Sequence, residues 1–247
     1  MADIVTAAMI VIGDEILSGR TKDRNIGHLA DVMTAIGIDL REARIVADDE
    51  NEIAAAVNAL RERYTYVFTT GGIGPTHDDI TADSVAKAFG VPCEYDERAY
   101  AMLDAHYRAL QMEFSEARMR MARMPRGAVH IDNPVSLAPG FRIGNVHVMA
   151  GVPAIFQAML DTVVPTLKAG QKLLSATIPC PYGEGTIGGP LGEIQKAHPD
   201  TIIGSYPKFL DGRFWTELVV RSRSQAALDA ATAAVQAMVD SFGPKAT

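Results

Sequence analysis

The sequence predicts an α/β protein, a parallel sheet covered by helices on both faces, followed by a smaller α+β domain. Three observations carry this. Short apolar runs without polar alternation, AAMIVI at Ala7–Ile12 and YVFTT at Tyr66–Thr70, fit strands buried on both faces. Segments with apolar residues at helical spacing separate and follow them. Beyond Lys168–Lys172 the order changes to strand, helix, strand, strand, helix. Composition permits such a core: hydrophobic residues make up 48% and charged residues 21%, and 247 residues exceed one typical domain of roughly 100–200.

The elements follow in order. The first run stops at Gly13. Asp23–Ile36 carries Ile26, Leu29, Val32, Met33 and Ile36 on one helical face, with Gly37 at the position of a terminating glycine. Ile38–Val46 alternates as a strand. Asp48 or Asp49 can cap the next helix, which carries Ile53, Val57 and Leu60. With Tyr66–Thr70 this makes a β-α-β-α-β series, and right-handed crossovers then give a parallel sheet. The middle reads as helices at Thr81–Phe89, Glu97–Leu110 and Phe114–Met124. Val129–Ile131 reads as a strand, and Phe141–Ile143 with Val146–Met149 as a hairpin around Gly144-Asn145. Pro153 opens a helix that runs to about Leu167. The domain division is 1–168 and 173–242. The second domain has strands at Leu173–Ile178, Thr201–Ser205 and Phe214–Arg221 and helices at Glu184–Ala197 and Ser224–Val239. Gly204–Pro207 reads as a turn, and the tail after Phe242 as disordered.

Several function classes are disfavoured. A net charge of −7 opposes binding to the backbone of DNA or RNA, yet leaves room for a single nucleotide. Cys93 and Cys180 are isolated and read as inert thiols. No signal sequence and no apolar run of the ~20 residues that span a bilayer is seen, so the expected location is cytoplasmic, away from membranes. No lysine follows the glycine-rich run at Gly71, which excludes a P-loop, and there is no GxSxG elbow. Gly189-Pro190-Leu191-Gly192 has the GxxG spacing of nucleic-acid-binding KH loops. Glu193 beside it, the lone nearby Lys196 and the missing donor at Pro190 argue against that use.

Ligands of such sheets bind at the carboxyl ends of strands. Two acidic or glycine-rich segments lie there. In the first, Thr70 leads into Gly71, Gly72, Gly74, Pro75 and Thr76, then His77, Asp78 and Asp79. Glycines let backbone N–H groups from Gly71 to Gly74 approach an anion, and the following helix start adds its dipole. Carboxylates beside a phosphate suit a divalent ion. The same run also reads as a tight turn in which Asp78, Asp79 or Thr81 caps the helix. The second segment is Gly13-Asp14-Glu15, followed by Asp23, Arg24 and Asn25. A third, Asn133-Pro134-Val135-Ser136-Leu137-Ala138-Pro139-Gly140, reads more as a stiff connection than as a ligand contact. His106 and His147 show no metal spacing, and Met112, Met119, Met121 and Met124 read as core or interface filler.

GDEILSGRTKDRN, GGIGPTHDDIT, NPVSLAPGF, AGVP and GSYP, in this order, resemble the molybdopterin-binding domains. Within them the chain resembles stand-alone proteins of the competence/damage-inducible protein A (CinA) family and the molybdopterin-binding-like domain of FAD synthases. The resemblance covers most of the chain. It implies a three-layer molybdopterin-binding fold to about Leu167 and a small KH-like domain after it. It places Asp14 and Glu15 by the substrate, Gly71, Gly72, Gly74, Thr76 and Asp79 around phosphate and metal, and Asn133, Ser136 and Pro139 at the rim. Gly13, Asn25, Thr70 and Pro75 lie in the same motifs and join the expected substrate-binding set.

Relatives of this type are associated with hydrolysis of ADP-ribose or FAD. That implies a nucleotide pyrophosphatase with Asp14, Glu15 and Asp79 as catalytic residues. Asp79 and Asp14 would hold a divalent ion (Mg²⁺, Mn²⁺ or Co²⁺), with Glu15, or alternatively His77, as base. Adenylyl transfer to molybdopterin and a non-catalytic nucleotide- or pterin-binding module stay open as alternatives. A homo-oligomer is also implied. The amidohydrolase domain of full-length CinA proteins and the catalytic domain of FAD synthases are missing from the sequence, so neither activity is expected.

Overall fold

The computed structural model describes residues 4–210 and 213–243, so the last four residues of the tail lie outside the described residues. The chain divides into two compact units, Met1–Gly170 and Gln171–Thr247.

The first unit runs β1 (Thr6–Ile12), α1 (Asp14–Leu17), α2 (Asn25–Ala35), β2 (Asp39–Val46), α3 (Glu50–Arg61), β3 (Tyr66–Thr70), α4 (Thr81–Phe89), β4 (Cys93–Tyr95), α5 (Glu97–Ala109), α6 (Glu116–Met119), β5 (Arg123–Pro125), β6 (Val129–Ile131), β7 (Gly140–Ile143), β8 (Val146–Met149) and α7 (Pro153–Val163). Among the described residues its main sheet has six strands in the order β2-β1-β3-β8-β7-β6. The apolar runs sit at its centre because successive side chains point to opposite faces and both faces are covered. From β1, Ala8, Ile10 and Ile12 meet α3, α4 and α5, while Ala7, Met9 and Val11 meet α2 and α7. This is a three-layer α/β arrangement. His147, on β8, stacks on Phe68 at 5.2 Å between ring centres, and burial lowers its pKa to about 4, so it is a neutral core residue.

The sheet is not wholly parallel. β2, β1, β3 and β8 run together, but β7 is antiparallel to both β8 and β6. The two-residue link Gly144-Asn145, with Gly144 at φ 56°, can join only antiparallel neighbours. The expected helix at Phe114–Met124 is also cut short. α6 and a 3₁₀ turn at Arg120–Ala122 end where Arg123–Pro125 pairs with β4, and Arg123 forks onto Asp83.

The second unit comprises β9 (Leu174–Cys180), α8 (Glu184–Ala197), β10 (Ile202–Leu210), β11 (Arg213–Ser222) and α9 (Gln225–Ser241). Among the described residues its sheet has three antiparallel strands in the order β10-β11-β9, sharing a core with both helices. Gly189–Gly192, whose use as a KH-type loop the sequence disfavours, lies inside α8 and presents no loop. One expectation fails here. Gly204–Pro207 is not a turn but part of β10. Pro207 is tolerated there because β10 is an edge strand. No helix among the described residues is long and apolar enough to cross a membrane.

One of the tightest approaches in the first unit joins the ends of β1 and β3. Gly71 has φ 107°, and a Cβ there would lie 2.1 Å from the Ile12 carbonyl oxygen. Gly90 has φ 67° with open space around it. Gly71→Ala should therefore cost about 3 kcal/mol or more, against about 1–2 kcal/mol for Gly90→Ala, which bears conformational strain alone. Urea unfolding of the two variants checks this, and equal losses would contradict the backbone collision.

Candidate functional site

Because β1, β3 and β8 are adjacent and parallel, their carboxyl ends lie side by side. The loops leaving them wall a cleft of about 510 Å³. Gly13 and Glu15 follow β1, Asp48 follows β2, the Gly71–Asp79 loop follows β3, and Gly151–Pro153 follows β8. Asn133 and Ser136 reach it from the β6–β7 loop.

The glycine loop is fixed at its base. Gly71 donates its N–H to the Met149 carbonyl at 3.2 Å. The Thr81 hydroxyl donates to the Gly71 carbonyl and the Thr81 N–H to the Gly72 carbonyl, both at 3.0 Å. A Cβ at Gly72, φ 66°, would lie 2.2 Å from that hydroxyl. The expected donor set therefore narrows. Gly71 is occupied, whereas the N–H groups of Gly72, Ile73 and Gly74 make no hydrogen bond among the described residues. Thr76 and Asp79 close a turn on each other. Thr76 donates its N–H, at 2.7 Å, and its hydroxyl to Asp79 Oδ2, and Asp79 returns its N–H to the Thr76 carbonyl at 3.2 Å. No side chain caps α4, so the capping alternative is not what these residues do.

Some expected site residues converge and others do not. Gly13, Glu15, Gly71, Gly72, Gly74, Pro75, Asp79, Asn133 and Ser136 line the cleft. Asp14 and Thr76 are not on its wall. Asn25 and Thr70 lie at a smaller neighbouring cavity, and Pro139 at another. His77 is 97% exposed and 3.9 Å from Asp78, away from the wall, so nothing places it as a base. Asn25 is buried and acts as a brace. Its Nδ2 donates to Thr70 Oγ1 and to the Gly151 carbonyl, both at 2.8 Å, and the Thr70 hydroxyl donates to the Ala150 carbonyl at 2.9 Å. Asn133 holds its own loop through bonds to Val135, Ser136 and Ala138.

Asp48 is the wall residue that sequence reasoning missed. Asp49 caps α3, accepting from the N–H groups of Asn51 and Glu52. Asp48 is then free to turn back, and its Oδ2 accepts from the Asp14 N–H at 2.9 Å. The doublet Asp48-Asp49 was the signal, since one residue suffices for the cap. Partial burial pushes the Asp48 carboxyl above its ordinary range, helped by the charges of Asp14, Glu15 and Asp78.

The wall thus offers hard oxygen donors: Glu15, Asp48, Asp78 and Asp79. Among the described residues no three His, Cys, Asp or Glu side chains converge into a ready cage. Mg²⁺-like ions commonly use one or two carboxylates and complete their shell with phosphate oxygens and water, and this donor set suits that mode.

The raised Asp48 pKa fixes a sign. Above its unfolded value of 3.8 the folded state holds the proton more tightly. Its stabilising contribution is therefore present at low pH and lost as pH rises through the folded pKa, leaving an unfavourable charge at neutrality. Asp48→Asn keeps an acceptor for Asp14 and should raise Tm slightly at pH 7, with the gain shrinking as pH falls through the raised folded pKa and gone below 3.8. A Tm at or below that of the parent at pH 7 would contradict this.

The comparisons with known proteins agree with this architecture. Residues 8–169 match the family model described as "Probable molybdopterin binding domain", and residues 172–243 match the one described as "FAD synthase, middle domain". A protein of Caldivirga maquilingensis is 38% identical over 166 residues, covering 66% of this chain and 65% of its own length, so the chain spans less than two thirds of that relative. One from Pyrobaculum arsenaticum is 37% identical over 211 residues, 82% of this chain and 80% of the relative. The crystal structure of CinA, of unknown function, from Thermoplasma acidophilum superimposes with a TM-score of 0.61 at 33% identity, over 66% of this chain and 98% of that one. The chain belongs to the molybdopterin-binding domain family, and its first unit has the fold of CinA.

Proposed function

We propose that the chain is a divalent-metal-dependent nucleotide pyrophosphatase acting on ADP-ribose or FAD-type dinucleotides. One observation carries the reading. Gly72–Gly74, whose N–H groups make no hydrogen bond among the described residues, and the carboxylate residues Asp79, Glu15 and Asp48 line the same cleft, at the carboxyl ends of parallel strands. The similarity of the second unit to the FAD synthase middle domain supports a dinucleotide ligand.

The Gly72–Gly74 amides would hold a phosphate of the anhydride. Asp79 and Asp48, the latter in the place expected of Asp14, would hold the ion together with phosphate oxygens. When bound, the ion supplies Lewis-acid polarisation of the phosphoryl group. Glu15 would take a proton from the attacking water. The water oxygen bonds to phosphorus, the anhydride P–O bond breaks, and ADP-ribose yields AMP and ribose 5-phosphate. FAD yields AMP and FMN. The braces at Thr76 and Asn25 keep the loops in register for this.

The match to a molybdopterin-binding domain favours a second reading, in which the same cleft binds a phosphorylated pterin and either transfers AMP to it from ATP or holds it without turnover. Incubation with ADP-ribose, FAD or ATP plus pterin, with Mg²⁺, Mn²⁺, Co²⁺ or chelator, followed by chromatography, separates the two. The expected outcome is metal-dependent AMP release that falls by about 100-fold or more in Asp79→Asn. No AMP from either dinucleotide with any of these metals would overturn the proposal, and adenylylated pterin formed from ATP would establish the second reading.

A further inference from the structure

An acidic wall repels phosphates, and positive charge beside the backbone amides would offset that repulsion together with a bound ion. Next to Gly72, Ile73 and Gly74 the cleft adjoins a small annex of about 20 Å³, room for about one oxygen-sized group. Arg120 and Arg123 line it as well, together with the carboxylates of Asp79 and Asp83. Arg123 is committed, with Nη1 and Nη2 donating to the two oxygens of Asp83 at 2.9 and 2.7 Å. Arg120 has no ion-pair or hydrogen-bond partner for its guanidinium among the described residues, and its Nε is buried without an acceptor. A buried charged donor without an acceptor is costly, and such groups call for a ligand to supply the missing oxygen. Its backbone is held. The 3₁₀ turn Arg120–Ala122 carries the fully buried Ala122, whose carbonyl accepts from the Asp96 N–H at 2.9 Å.

We infer that Arg120 is a phosphate-binding residue, clamping one phosphate oxygen in the annex while the N–H groups of Gly72–Gly74 hold the others. This gives the cleft a polarity. The anionic part of a ligand lies at the Arg120 end of the glycine loop, and its hydroxyl- or amine-bearing part lies along the rest of the cleft wall. A ribose phosphate or a pterin phosphate has this pattern, and a bare nucleoside does not. The inference rests on phosphate binding in this cleft but not on hydrolysis.

Calorimetric titration of the full chain with AMP, and with adenosine as the phosphate-free control, tests it. Arg120→Met should weaken AMP binding tenfold or more, flatten its salt dependence and leave adenosine unaffected. Arg120→Lys, which keeps the charge but loses the fork, should fall between. Arg120→Met binding AMP with the parental Kd and salt dependence would overturn the inference, as would a parent chain that binds no AMP. If Arg120→Met melts below the parent, Arg120→Lys decides: unchanged AMP affinity and an unchanged ratio to adenosine would overturn the inference. Arg120-dependent AMP binding without AMP release from either ADP-ribose or FAD would sink the pyrophosphatase reading alone.

Discussion

The site depends on how closely the ends of three strands are drawn together. Gly71 presses its Cα side against the Ile12 carbonyl, where no side chain fits, and Gly151 packs against Gly71 from β8, with space for a Cβ only 3.2 Å from the Gly71 Cα. Asn25 then spans the seam, bonding Thr70 on one side and Gly151 on the other. With the base so fixed, the Gly71 N–H is satisfied by Met149, and the next three residues line the cleft with N–H groups that make no hydrogen bond among the described residues. The first link is steric, the second is hydrogen bonding, and their product is a set of oriented donors at the end of a parallel sheet, where α/β folds hold ligands.

Charge is arranged around that base at some cost to the fold. Asp48 is held half-buried by the Asp14 N–H among other acids, and its raised pKa reports the strain of ionising it there. Such groups cluster at functional sites more than at structural ones. Acids line the wall, and next to Asp79, beside the glycine loop, Arg120 adds a guanidinium with no partner among the described residues. A ligand with a phosphate and a polyhydroxylated part complements both.

The layers of the first unit were legible because β1 and β3 are short runs without polar alternation, α2 and α3 show helical periodicity, and glycine stops follow at Gly37 and Gly90. The small unit's element order was legible for the same reason. What periodicity does not encode is tertiary override. The pairing of Arg123–Pro125 with β4 breaks a helix-like run, and the edge position of β10 lets Pro207 remain in a strand. At the site, the glycine loop announced itself through composition, as did Glu15 and Asp79. Asp14 and Thr76 did not reach the wall, since Asp14 contributes its amide to Asp48 and Thr76 its donors to Asp79. Asp48 showed itself only as half of an acidic doublet and Arg120 lies on a segment with no motif; folding brings Asp48 to the cleft and Arg120 to its annex.

The central claim is that the Gly72–Gly74 amides hold a phosphate. A crystal structure of the full chain with ADP-ribose tests it most directly. The account predicts phosphate oxygens about 3 Å from the N–H groups of Gly72, Ile73 and Gly74, with the Thr76–Asp79 turn intact beside them. Phosphates bound away from the loop, with those amides facing solvent, would contradict it.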